Sequence, residues 1–176
     1  MGTRQYHIRE RGMIELYLIR HGLAGKSLED EAKDEARPLK KKGKEVMKDV
    51  AKALKKLDVC FDAILTSPLL RSKQSAEIIH AYCGNAKKVT ETGLLKPAAS
   101  FSNLIKLLNK FKGSKKIALV GHEPFLSSFA SYCLSNDKNS FINLKKSGII
   151  KLEVDEVVKP GRCFLSWLIE PIHVAL

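Results

Sequence analysis

Glu15-Leu16-Tyr17-Leu18-Ile19-Arg20-His21-Gly22 decides how the rest of the chain is read. Leu16 to Ile19 is a continuous aliphatic and aromatic run, the pattern of a strand buried on both faces, as in a parallel sheet. The run ends abruptly on a cation, an imidazole and a glycine, which are poor core material. In open α/β sheets the carboxyl edge of the strands is where ligands bind. Gly22 is read as the residue that lets the backbone turn sharply and a ligand come close. Taken alone, a strand that simply ends in polar residues explains a three-residue match equally well.

Working outward, strand and helix patterns alternate. The spacing predicts a helix over 39–57, with Val46, Val50, Leu54 and Leu57 on its apolar stripe. Its start carries Lys40, Lys41 and Lys42, cations that oppose the helix dipole. A strand over 62–66 runs into Ser67-Pro68. Serine suits an N-cap and proline the first helical position, so a helix is expected from Pro68 with Arg71 in its first turn. A short strand is read at 88–90, a helix over 101–111, a strand over 116–120 ending at Gly121-His122, and a helix beginning at Pro124. Two last strands, 148–154 and 163–169, are expected to form a hairpin. Residues 23–36 are polar and read as a mobile, solvated loop. The alternation makes the fold class α/β, one sheet covered on both faces.

Length and composition narrow the function. A chain of 176 residues suits one domain, and the expected division is a loose extension over 1–12 and a domain over 13–176. Lys and Arg total 31 against 19 Asp and Glu, a net +12 that favours anionic partners: nucleic acid, an acidic protein surface or a phosphorylated substrate. No apolar run reaches the ~18–20 residues that span a bilayer, and residues 1–12 carry arginines without an apolar signal segment. A cytoplasmic protein with no membrane partner is expected. Cys60, Cys83, Cys133 and Cys163 are too scattered for a zinc site and read as four reduced core thiols. No metal or other cofactor is expected.

Four stretches, in order, carry a resemblance: Arg20-His21-Gly22, Arg37-Pro38-Leu39, Ser67-Pro68 with Arg71, and Gly121-His122-Glu123-Pro124. They resemble the histidine phosphatase superfamily, and their spacing is similar to that of its small SixA-type phosphohistidine phosphatases, from Met13 onward. The resemblance implies a three-layer sandwich with a mostly parallel central sheet and helices on both faces, in which the strands before His21 and His122 are neighbours. It implies His21 as a nucleophile that becomes phosphorylated, Arg20 and Arg71 as a clamp on the phosphoryl oxygens, and His122 as a hydrogen-bonding partner that stabilises charge in the transition state. Arg37, Gly22, Ser67 and Glu123 are the expected substrate-binding residues. The residue types suit that chemistry. Guanidinium groups bind phosphate oxygens bidentately, phosphoryl transfer needs charge neutralised around an in-line nucleophile, and neutral imidazole is a competent nucleophile. One departure is Lys40, where SixA-type proteins usually have a threonine that caps the helix. His7, His80 and His173 match nothing in the pattern and read as surface or packing residues.

Larger members of the superfamily, such as the phosphoglycerate mutases, carry a glutamate that protonates an alkoxide leaving group. The corresponding stretch here, Thr92 to Pro97, holds no carboxylate, and Glu91 is the nearest. That favours a leaving group that departs easily, such as the imidazole of phosphohistidine on a protein. The alternatives are a small-molecule phosphomonoesterase or mutase of the same fold, or a nucleic-acid-binding module. The last lacks an RNP-like aromatic motif, a zinc finger and a helix-turn-helix. The expected partner is therefore a phosphohistidine-containing protein or a phosphorylated small molecule, without specific nucleic acid. A monomer is the simplest state.

Overall fold

The computed structural model describes residues 13–85 and 88–173; the expected extension over 1–12 lies outside them. Strand β1 (Met13–Arg20) occupies the middle of a six-stranded sheet of order β3-β2-β4-β1-β5-β6. The other strands are β2 (Ala63–Thr66), β3 (Val89–Glu91), β4 (Lys116–Gly121), β5 (Ile149–Asp155) and β6 (Cys163–Ile169). β1, β4, β2 and β3 run parallel to one another. β5 pairs antiparallel with β1 and with β6, so the expected hairpin forms.

Alternation along each strand sorts the core into two layers. Leu16 and Leu18 of β1, Leu65 of β2 and Ile117 and Leu119 of β4 face α4 (Phe101–Leu108) and α5 (Phe125–Ser135). Tyr17, Ile19, Ile64, Ala118 and Val120 face α2 (Lys41–Lys56) and α3 (Leu70–Cys83). The result is a three-layer α/β/α sandwich with a mostly parallel sheet. Among the described residues no helix is long and apolar enough to cross a membrane.

Three local readings are corrected. The helix expected from Pro68 starts at Leu70, with Leu69 at its N-cap, because Ser67 and Pro68 still continue the strand end: Ser67 N–H donates to the Val120 carbonyl (3.0 Å). The stretch read as a mobile loop contains a short helix, α1 (Glu31–Glu35), capped by the Asp30 carboxylate, which accepts from Lys33 N–H. Of the four cysteines, all free, Cys60 is exposed in the turn before β2 and only Cys83, Cys133 and Cys163 are buried.

Candidate active site

The register of β1 on β4 sets Arg20 opposite Gly121. The next residue on each strand is a histidine, and His21 N–H donates to the Gly121 carbonyl (3.0 Å). Two parallel strands therefore end side by side, and the imidazole centroids of His21 and His122 lie 5.0 Å apart. His21 is 7% and His122 2% exposed. Burial, followed by nearby positive charge, lowers both pKa values: His21 to about 4, through Arg71 and Arg20, and His122 to about 3, through His21 and Arg71. Both rings are neutral at physiological pH. His21 Nδ1 lies 2.7 Å from the Gly22 carbonyl. A carbonyl only accepts, so Nδ1 carries the proton and Nε2 keeps its lone pair.

Gly22 does not have the backbone conformation that favours glycine; positive φ among described glycines occurs at Gly113 and Gly161. Its need for a hydrogen in place of a side chain is one of packing. A Cβ there would sit 2.8 Å from Met47 Cγ and 2.9 Å from the Gly43 carbonyl oxygen. Gly43 has the reciprocal need, with the Leu23 carbonyl oxygen 2.2 Å from a built Cβ. Two glycines thus let the chain after β1 lie directly on α2. Gly22 N–H donates to Ser75 Oγ (3.0 Å), which ties the same bend to α3.

The start of α3 delivers Arg71, Ser72 and Ser75, all buried. Ser67 Oγ and Ser72 Oγ lie 2.9 and 3.2 Å from His122 Nε2 and hold the ring between them. Arg71 is 5% exposed. Its Nη1 donates to the Asp34 carbonyl (2.7 Å) and its Nη2 pairs with the Asp34 carboxylate (3.1 Å), yet its buried Nε has no partner. Arg20 is in the same condition: Nη1 donates to the Leu144 carbonyl (2.7 Å), and its buried Nε is unpartnered. Burial presses both guanidinium groups below the usual arginine range. An orphaned buried donor costs on the order of 1–3 kcal/mol, more when charged, and an anion between them would recover it.

Asp34 is the residue that sequence reasoning missed. Its carboxylate accepts from Leu28 N–H (3.1 Å) and pairs with both Arg71 and Arg37 (2.9 Å). Burial pulls its pKa up, but the Leu28 N–H, Arg71 and Arg37 together hold it below the usual carboxylate range. Arg37, expected at the substrate, spends its guanidinium on Asp34 and on the Gly25 carbonyl. Glu123 caps α5, accepting from Ser127 N–H (3.0 Å), and contributes a negative charge near Arg20. The stretch after β3 forms a tight 3-10 turn over Gly93–Leu95 with Leu95 buried. Among the described residues no group of His, Cys, Asp and Glu is arranged to hold a metal ion.

This arrangement has relatives. A model of the Histidine phosphatase superfamily (branch 1) matches residues 16–96. An uncharacterized protein of Picosynechococcus sp. (strain PCC 7002) is 39% identical over 141 residues, covering 79% of this chain and 84% of the relative. Among solved structures, the protein histidine phosphatase SixA complexed with tungstate superposes with a TM-score of 0.79 at 22% identity, covering 92% of this chain and 99% of the other. A phosphoserine phosphatase variant from Entamoeba histolytica in complex with phosphoserine gives a TM-score of 0.67 at 18% identity, covering 91% and 98%. At such identities the two structures speak for the fold. With a strand-end histidine pair, two arginines whose Nε atoms are buried and a family match spanning β1 to the turn after β3, this chain belongs to the histidine phosphatase superfamily.

Proposed function

We propose that this protein is a phosphatase that removes the phosphoryl group from phosphohistidine on a protein, through its own phosphorylated His21. The observation that carries the reading is the pair of unpartnered, buried Nε donors of Arg20 and Arg71 beside two neutral imidazoles. Such donors are matched to phosphoryl oxygens.

In the first step His21 Nε2 attacks phosphorus. The bond from phosphorus to the substrate nitrogen breaks, and the substrate imidazole keeps that electron pair and leaves neutral, having carried a proton beforehand. Arg20 and Arg71 hold the equatorial oxygens, and His122, braced by Ser67 and Ser72, stabilises the charge that builds on them. In the second step water attacks phospho-His21 and phosphate is released. The residues supply the positive charge themselves, so the reading requires no metal.

The choice of leaving group rests on the carboxylates. None lies in Thr92 to Pro97. Glu91 pairs with Lys73 (2.9 Å), Glu123 is engaged by Ser127, and Asp34 is held ionised between two arginines. Each of the three is already taken up by neighbouring donors. General acid catalysis typically contributes about 10²–10⁴-fold, and an alkoxide needs it where a protonated imidazole does not. The test compares kcat/KM for a phosphohistidine peptide, an aryl phosphate, phosphoserine and phosphoglycerate. The expected order falls from the first to the last two. An alkyl phosphate that matches the phosphohistidine peptide would overturn the reading in favour of a small-molecule phosphomonoesterase, with Glu123 as the first acid to substitute.

A further inference from the structure

Cations gather at the mouth of this site beyond those a phosphoryl group needs. Ser147 N–H reaches the carbonyls of Arg20 and His21 (3.2 and 3.3 Å), so Lys146 is carried to the rim on a segment strapped to the nucleophile's strand end. Lys40 arrives at the start of α2, its N–H donating to the Leu23 carbonyl (2.9 Å). Both residues are exposed, and among the described residues neither pairs with a carboxylate. Asp34 is already shared by Arg37 and Arg71. Burial and then repulsion from Arg20, Arg37 and Lys40 press the Lys146 ammonium below the usual lysine range, so these cations sense one another.

Helix α2 extends the same field. Its first turn carries no acid, and Lys40 at the N-cap offers no side-chain acceptor to the free N–H groups. The helix dipole therefore adds to the lysines instead of being offset. Lys41, Lys42 and Lys44 are exposed beside it. A single phosphate is held better by a buried guanidinium fork of the Arg71 kind. Exposed lysines on long stems, spread over two segments, suit an extended anionic surface whose charges need not match fixed positions.

We propose that Lys146, Lys40 and the lysines of the first turn of α2 form a docking rim for an acidic protein surface surrounding the phosphohistidine presented to His21. The proposal rests on the reading of the chain as a protein phosphohistidine phosphatase. The rim steers the acidic partner and aligns it, while Arg20 and Arg71 keep the phosphoryl group.

The test uses the full chain and two phosphohistidine peptides of equal length, one flanked by glutamates and one by glutamines. At low ionic strength the glutamate peptide is expected to have a kcat/KM about tenfold higher, as a few exposed ion pairs provide. The ratio should fall toward one at high salt and in the Lys40→Gln/Lys146→Gln variant. Binding of the unphosphorylated peptides, followed by fluorescence anisotropy, separates the rim from the chemistry. If neither phosphopeptide is hydrolysed but the glutamate peptide binds more tightly, and the double variant removes the difference, the rim stands and the phosphohistidine reading falls. Equal binding and equal turnover of the two peptides at low salt overturn the rim. Tighter binding of a single-stranded oligonucleotide of matched charge overturns it too, because the surface then serves nucleic acid.

Discussion

Acidification should unfold this protein through its buried histidine pair. His21 and His122 are buried and neutral, with pKa values of about 4 and about 3. In the unfolded chain both return to about 6.5. Below that value the unfolded chain takes up protons that the folded one refuses, so stability falls as pH drops through 6.5 and continues to fall toward the folded values. Between about pH 7 and pH 5 each ring removes about 2 kcal/mol, close to 4 kcal/mol for the pair. That is a large part of the 5–15 kcal/mol typical of a domain. Urea unfolding at several pH values measures it. His21→Gln and His122→Gln should each halve the pH dependence, whatever they do to stability at pH 7. The reasoning is refuted if the wild type loses less than about 1 kcal/mol over that range, or if neither substitution flattens the profile.

Other outcomes follow from the same geometry. A reaction quenched after brief mixing should leave acid-labile phosphate on His21, and His21→Ala should show neither label nor turnover; substantial turnover by that variant removes the mechanism. Arg71→Lys keeps the charge but loses the fork, and should lower kcat by about 10²-fold with a smaller effect on KM; steady-state kinetics at the wild-type level would make Arg71 a structural residue. Asp34→Asn loosens the charge-assisted bonds that aim Arg71, and should lower kcat about tenfold; a higher kcat would mean that the carboxylate competes with the substrate instead. Gly43→Ala forces a methyl into the Leu23 carbonyl and should destabilise by roughly 1–3 kcal/mol in a denaturant titration, and unchanged stability would contradict the packing account of Gly22 and Gly43.

The fold was largely legible because buried parallel strands announce themselves. Leu16 to Ile19 and Ile117 to Val120 are unbroken apolar runs, and each stops one residue short of its histidine. That the two strands are neighbours came only with the family resemblance, since no local signal pairs residues so far apart. The start of α3 was misread because Ser67-Pro68 has strong local helix-start chemistry, whereas strand hydrogen bonding to Val120 holds Ser67 extended. Asp34 was invisible for a similar reason. In sequence it is one of five acids in a polar stretch. Its meaning comes from Arg71, which folding brings to it across the sheet's edge. Ser72 carries no local signal, and only the approach of His122 gives its hydroxyl a task. Gly22 is expected from the sequence to admit a ligand, and the group packed against it is helix α2.

The central place of β1 sets an order on synthesis. This strand is made before the other five, yet its hydrogen-bonding neighbours β4 and β5 follow only about 100 and 140 residues later, with Glu15 waiting for Lys116 on one side and Glu153 on the other. At typical elongation rates the wait is on the order of 10 s. Throughout it an apolar strand has both backbone edges unpaired, the condition in which chains join to one another. The long-range pairing also makes the closing step slow. A nascent chain stopped before β5 should therefore be a chaperone client and prone to aggregate, because one edge of β1, from Met13 to Ile19, is still unpaired.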